Sequence, residues 1–331
     1  MSVPVHNHDS HHHDHTHGVT DPHILTSERG IWAIKWSFFW LFITALVQGG
    51  IVWLSGSVAL FADTLHNLGD ALTALPLWFA FLLIRRKPTN RFTYGYGRVE
   101  DLAGVAIVLI ILFSALAVGY QSLQGLRHPT SVEYLPAVLI AALIGFFGNE
   151  AVARLRLKVG KEIGSAALVA DGYHARADGL TSLGVLGSVG GVWLGYPFVD
   201  PLVGVLIALV ILKMAWESGK AVFLRLLDAV DPQVVEEIRE AARETSGVAE
   251  VTEARVRWIG HRLHAELNVA VNLALSIERA HDIAKEVRHT LLHQLQYLSN
   301  ATIHLDPLTA SGETHHRIGE HAHDELPFHS H

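Results

Sequence analysis

For its first two-thirds the chain alternates long apolar runs with short polar connections, and then the pattern changes period. Six apolar segments stand out, at about 31–53, 57–83, 101–124, 135–155, 164–195 and 199–222. Each is long enough to cross ~30 Å of hydrocarbon as a helix rising ~1.5 Å per residue. The fifth exceeds one span, which predicts that its first turns project from the membrane or that it tilts.

From 223 to 309 the spacing is that of a small water-exposed domain. Pro232–Thr245 sets Val234, Val235, Ile238 and Ala241 at helical spacing, and Val248–Ile259 and Leu263–Val271 alternate as strands do. Ser276 caps a helix reaching Leu295, with Ile283, Ala284, Val287, Leu291 and Leu292 as its apolar stripe, and Ala301–Leu305 reads as a last strand. The order α-β-β-α-β predicts a small α+β, ferredoxin-like sandwich. The chain is therefore read as a mainly α membrane protein: a His-rich disordered tail (1–30), a six-helix transmembrane domain (31–222), a cytoplasmic α+β domain (223–309) and a second His-rich tail (310–331).

Composition agrees with a multi-pass membrane protein. Of 331 residues, 50% are hydrophobic and 17% charged, against about a quarter charged in soluble domains. The net charge of −7 gives no sign of nucleic-acid binding. There is no cysteine, so a transition-metal site must be built from His and carboxylate, which points toward Zn²⁺ rather than Cu⁺. The first thirty residues hold His6, His8, His11, His12, His13, His15, His17 and His23 and lack the basic–apolar–small pattern of a cleavable signal. Both His-rich tails read as metal collectors or as plain disordered tails.

Loop charge orients the spans. The 84–100 connection carries Arg85, Arg86, Lys87, Arg91 and Arg98; the 154–163 connection carries Arg154, Arg156, Lys158 and Lys161; Lys220 and Arg225 end the sixth span. Trp53–Ser57 and Gly195–Val199 carry no charge. Basic loops stay inside, so both termini are placed in the cytoplasm, in what reads as a bacterial inner membrane.

Two signatures lie inside apolar runs: His66-Asn67-Leu68-Gly69-Asp70 and His174-Ala175-Arg176-Ala177-Asp178. Each sets an imidazole and a carboxylate at i and i+4, about 6 Å apart along one helix face. Ionisable groups in hydrocarbon are costly and call for a partner or a task. His66 falls about nine residues past the outer end of the second span, and His174 about ten past the inner end of the fifth. Both pairs thus reach the midplane on antiparallel helices, where two nitrogens and two oxygens suit a tetrahedral Zn²⁺. The plainer reading is a private Asp–His hydrogen bond in each helix. Asp63 shares the face of His66 and Asp70, as an orienting partner or as an Asp in a water-filled mouth. Asn149-Glu150 in the fourth span read as polar glue or an entrance. Gly187 and Gly191 have GxxxG spacing, which reads as close packing.

These strings resemble the cation diffusion facilitator family, the six-span metal–proton antiporters. The resemblance rests on Ser55-Gly56-Ser57-Val58-Ala59-Leu60 running into Asp63, His66-Asn67 and Asp70; on Tyr94-Gly95-Tyr96-Gly97-Arg98-Val99-Glu100; on His174 to Asp178; on Asp200-Pro201-Leu202-Val203; and on His304-Leu305-Asp306-Pro307. It covers about 31–309. It implies a transport site of His66, Asp70, His174 and Asp178, with His in the second-span motif as in zinc-transporting members. It also implies a homodimer, a metal-sensing cytoplasmic domain, and export of metal in exchange for protons. Two departures follow. The loop between the second and third spans has no histidine, so the extra ion site some members carry there is expected to be absent. In the cytoplasmic domain His281, His304 and Asp306 match a binuclear pattern, Asn268 aligns with a further ligand, and His261 and His264 are nearby candidates for a regulatory Zn²⁺. His289 and His293 read as solvated surface.

The function expected is proton-coupled export of Zn²⁺, with Co²⁺, Cd²⁺ or Fe²⁺ as alternative substrates and a membrane metal sensor without transport as the rival class. No HExxH string supports an intramembrane protease, and the chain is not read as an enzyme.

Overall fold

The computed structural model describes residues 22–55, 74–127, 135–194, 196 and 198–312. Most of the expected second span, with Asp63, His66 and Asp70, lies outside them, as do most of the N-terminal tail and nearly all of the C-terminal one. The described helices are α1 (Pro22–Ser55), α2 (Ala74–Ile84), α3 (Arg98–Arg127), α4 (Leu135–Ile163), α5 (Ala166–Trp193) and α6 (Val199–Leu226).

Three of them, α1, α3 and α6, hold windows long and apolar enough to cross a membrane on composition alone. Helices α4 and α5 carry buried charged and polar side chains and pack along each other. Asp171, His174 and Asp178 of α5 and Asn149 and Arg156 of α4 are buried between helices, as the cost of exposing such groups to lipid requires. Leu77, Phe81, Ile107, Ile111, Leu168 and Ala177 are core residues shared among α2, α3 and α5, while Trp32, Trp36, Phe113 and Trp216 remain exposed on the outer surface.

Two expected boundaries are corrected. Disorder through residue 30 is not found, because α1 is already helical from Pro22. Ion pairs tie this first part down: Arg29 Nη2 lies 2.6 Å from Glu162 Oε2, and Arg85 reaches Glu28 at 3.4 Å. The basic connection expected at 154–163 is roughly the last three turns of α4. Apolar patterning stops where hydrocarbon stops, whereas backbone hydrogen bonding continues. The chain then reverses at Gly164 (φ +72°) into α5.

The C-terminal α+β domain has α7 (Pro232–Arg243), β1 (Glu250–Ile259), β2 (Arg262–Val271), α8 (Ile277–Gln294) and β3 (Leu298–Pro307). Asp231 caps α7 by accepting from Gln233 N–H, with Pro232 at the first position. Ser276 caps α8 by accepting from Arg279 N–H. Strand β2 is central, antiparallel to β1 and parallel to β3. Ile238, Leu267, Val269, Val287 and Leu291 form the core beneath the helices.

The two halves lock together at the β1–β2 turn. Gly260 (φ +62°) carries this turn against Gly97, where a Cβ would lie 2.8 Å from the Gly97 carbonyl oxygen. Arg225, at the end of α6, lies over the Trp258 ring at 4.1 Å and donates to the carbonyls of Gly164 and Gly260. One side chain thus ties the α4–α5 hairpin and α6 to the cytoplasmic sheet.

Candidate functional site

His174 and Asp178 lie one turn apart on α5, 1% and 6% exposed, with His174 Nδ1 3.7 Å from Asp178 Oδ2. The i,i+4 spacing places both on the protein-facing side of the helix, as the sequence predicts. Their expected partners, His66 and Asp70, fall outside the described residues, so the meeting of the four side chains stays an expectation.

The wall beside this pair is built from α1 and α4. Gly148 lets α1 approach: a Cβ there would lie 2.7 Å from Thr44 Oγ1. Gly145 and Gly179 do the same between α4 and α5, facing Ser182 Oγ (2.9 Å) and Asn149 Cβ (3.4 Å). The close approach leaves a buried polar belt of Thr44, Gln48, Asn149 and Ser182. Gln48 donates to Ala141 O at 3.3 Å, and Ser182 Oγ donates to Asp178 O at 3.3 Å. Sequence reasoning missed Thr44 and Gln48. Their i,i+4 spacing within an apolar run was the available signal.

Asp171, two turns below Asp178 on the cytoplasmic side, pairs with Arg156 of α4 at 3.0 Å, and both side chains are essentially fully buried. Higher up, Arg176 reaches both carboxylate oxygens of Glu150 at 3.3 Å, and Arg154 meets the same group at 2.7 Å. Glu150 is thus held by two cations, while Asn149 next to it is buried. On α5, Gly184 and Gly191 allow close approach of α6, facing Ile207 and Val199, whereas no described residue lies within 4 Å of a Cβ built at Gly187. Among the described residues, the close contact of the expected Gly187/Gly191 pair is made at Gly191.

The cytoplasmic candidates do not assemble. His304 Nε2 lies 3.1 Å from Asp306 Oδ1 on β3. Asn268 is the β2 partner of His304, but its amide is drawn to Glu253 Oε2 at 3.3 Å. His264 sits four residues back along β2, roughly 13 Å away by strand rise. His281 is exposed on α8. Beside it Lys285 hydrogen-bonds Asp282 at 3.1 Å, which holds that carboxyl below its ordinary range. His261 lies apart from the other candidates. The Gly260 turn lifts it out of the sheet and buries it against the membrane helices, Nδ1 2.6 Å from Glu100 Oε2 and Nε2 3.1 Å from Thr26 Oγ1. Among the described residues, no three His, Asp or Glu side chains converge as a metal site requires.

Comparison with known proteins agrees with this layout. The profile of the cation efflux transmembrane domain matches residues 34–227, and that of the cation efflux protein cytoplasmic domain matches 230–308. A probable cation efflux system protein of Mycobacterium tuberculosis (strain H37Rv) is 50% identical over 297 residues, 90% of this chain and 89% of its own length. The manganese efflux system protein MneP of Bacillus subtilis (strain 168) is 24% identical over 295 residues, 86% of this chain and 99% of its own. Among solved structures, a MamM C-terminal domain in a cadmium form is 25% identical, covering 23% of this chain and 95% of its own, with a TM-score of 0.23.

Proposed function

Because the chain belongs to the cation diffusion facilitator family of cation efflux proteins, we propose that it exports Zn²⁺ from the cytoplasm in exchange for protons. The carrying observation is the buried His174–Asp178 pair, an imidazole and a carboxylate one turn apart inside a membrane helix. In this reading His66 and Asp70 of the second span complete a four-ligand site, and the ion is the substrate.

The chemistry follows from the donor set. Zn²⁺ takes neutral imidazole and ionised carboxylate, so loading releases protons and acid reverses it. Protons from the far side and metal from the cytoplasm compete for the same lone pairs, and that competition is the exchange. The glycine-mediated closeness of α1, α4 and α5 supports a site walled off from lipid. Asn149, Gln48 and Thr44 supply polar surface along the wall without competing as strong ligands.

The same reading makes the protein a homodimer in a bacterial inner membrane with both termini in the cytoplasm, and gives the α+β domain a role in dimerisation and metal sensing. Within that domain His304 and Asp306 are the pair best placed to meet a regulatory metal. A second substrate reading keeps Mn²⁺ in view, since one relative is named for manganese efflux. An imidazole ligand argues against it, because Mn²⁺ favours oxygen.

Reconstituted vesicles test the proposal. With an inward metal load and an acidic opposite side, wild type moves Zn²⁺ and dissipates the pH gradient, while His174→Ala and Asp178→Ala do neither. Zn²⁺ flux that persists in either variant, or flux without proton movement, overturns it.

A further inference from the structure

A cavity of about 560 Å³ opens where α2 leaves the membrane and meets the cytoplasmic sheet. Its wall carries Arg85, Arg86, Lys87 and Arg262, together with His264 and Tyr94, and among the described residues no Asp or Glu lines it. Arg86 and Lys87 are exposed, and no hydrogen bond or ion pair joins their side chains to other described residues. Arg262, in contrast, is 3% exposed at the cavity floor and fixed in place, its Nη2 donating to Thr26 Oγ1 at 2.6 Å. A buried, oriented guanidinium beneath two uncompensated cations is an arrangement for a multiply charged anion.

From this we infer that the cavity binds a phosphate group. A guanidinium fork matches phosphate oxygens, and the serine, asparagine and tyrosine polar atoms of the rim (Ser299, Asn300, Tyr94) suit the rest of a headgroup. The depth favours phospholipid as the source. The three cations directly follow Ile84, the last residue of apolar α2, and exposed Trp32 and Trp36 mark the same cytoplasmic end of α1. Basic pockets at this level face the anionic leaflet. Occupancy would bridge α2, α1 through Thr26, and the β1–β2 turn, so the lipid would also brace the junction between the two halves. This site is separate from the proposed transport site and does not depend on it.

The experiment uses the full chain in detergent. Retention of phosphatidylglycerol and of phosphatidylcholine is measured by native mass spectrometry, and thermal stability is read with each lipid and with inorganic pyrophosphate. Wild type, Arg86→Gln/Lys87→Gln and the exposed-site control Lys213→Gln are compared. The expected result is preferential retention and stabilisation by phosphatidylglycerol, weakened about thirtyfold in the double variant, at roughly fivefold per cation removed, and unchanged in the control. Stabilisation by phosphatidylglycerol with no response to pyrophosphate assigns the source as a lipid headgroup. A pyrophosphate response that the double variant loses, without lipid preference, assigns it as a soluble phosphate. The site is overturned if neither probe binds preferentially, or if the double variant, with an unchanged gel-filtration profile, binds as wild type does. Because both replaced side chains are exposed and unpaired, loss of binding without loss of fold is the informative outcome.

Discussion

Glu100 at the start of α3 and His261 at the β1–β2 turn share a 2.6 Å hydrogen bond, and each side chain is 1% exposed. The bond spans 161 positions of sequence and joins the membrane helices to the cytoplasmic sheet. Thr26 on the far ring nitrogen and the Phe81 ring at 5.7 Å complete the enclosure of the imidazole. A contact this buried has no water to replace a lost partner.

Removing either partner should therefore cost the desolvation of the one left behind. His261→Phe keeps the ring contact with Phe81 but leaves the buried Glu100 carboxylate with only Ser165 and the nearby Arg225 for support, with an expected loss of about 1–3 kcal/mol. Glu100→Gln retains a polar partner and should cost less. The distinguishing measurement is hydrogen exchange at the β1–β2 turn. Exchange should rise in His261→Phe well before the cores of α4 and α5 open, because His261 holds the turn itself against the membrane helices. Equal protection in both proteins would mean that the bond contributes little to docking.

The pair of Arg156 with Asp171 gives a sharper contrast. Both groups are out of water, and breaking such a pair leaves an uncompensated charge, typically costing ~3–5 kcal/mol. Asp171→Ala should accordingly lower the unfolding midpoint strongly, whereas Arg156→Met with Asp171→Leu should be near neutral. Thermal unfolding in detergent measures both. A double variant as damaged as the single one would show that the charges are needed for more than mutual compensation.

Metal choice should follow the donor set of the proposed site. Replacing the imidazole of His174 by carboxylate in His174→Asp removes a nitrogen ligand and adds a negative charge, which favours harder ions. The ratio of Zn²⁺ to Mn²⁺ uptake in vesicles is expected to fall by at least on the order of tenfold, since losing even an outer partner of a metal ligand typically costs that much in affinity. An unchanged ratio would remove His174 from the selecting ligands.

The apolar runs and the alternating pattern of 223–309 made the architecture legible, because burial against lipid or against a sheet dictates those periods directly. The α5 half of the candidate site was legible for the same reason: an Asp and a His in an apolar run have few uses. What the chain did not disclose are contacts set by tertiary approach. Arg156 reads as a loop cation by charge, yet α4 continues past the apolar stretch and folds it inward onto Asp171. His261 reads as a domain ligand by proximity to His264, yet the positive φ at Gly260 turns it toward Glu100. Glu100 itself sits in a recognisable string, Tyr94 to Glu100, whose partner is 161 positions away.

Glycine spacing alone does not say which neighbour a glycine admits, and among the described residues the glycines differ in what a Cβ would meet. At Gly148 a methyl group would lie 2.7 Å from Thr44 Oγ1 and 3.2 Å from Thr44 Cγ2, so α1 must move away from α4 or Thr44 must change rotamer. Overpacking of this kind costs typically ~1–3 kcal/mol, and here it would also widen the polar belt beside Asp178. At Gly187 no described residue lies within 4 Å of an added Cβ, and alanine would relieve the glycine penalty of roughly 0.5–1 kcal/mol in a helix interior. Gly148→Ala is thus expected to lower both stability and Zn²⁺ transport, while Gly187→Ala leaves transport intact with equal or higher stability. Paired thermal unfolding and vesicle flux check both. A Gly187→Ala protein as impaired as Gly148→Ala would mean that α5 uses its outer glycine face in a state with a different packing.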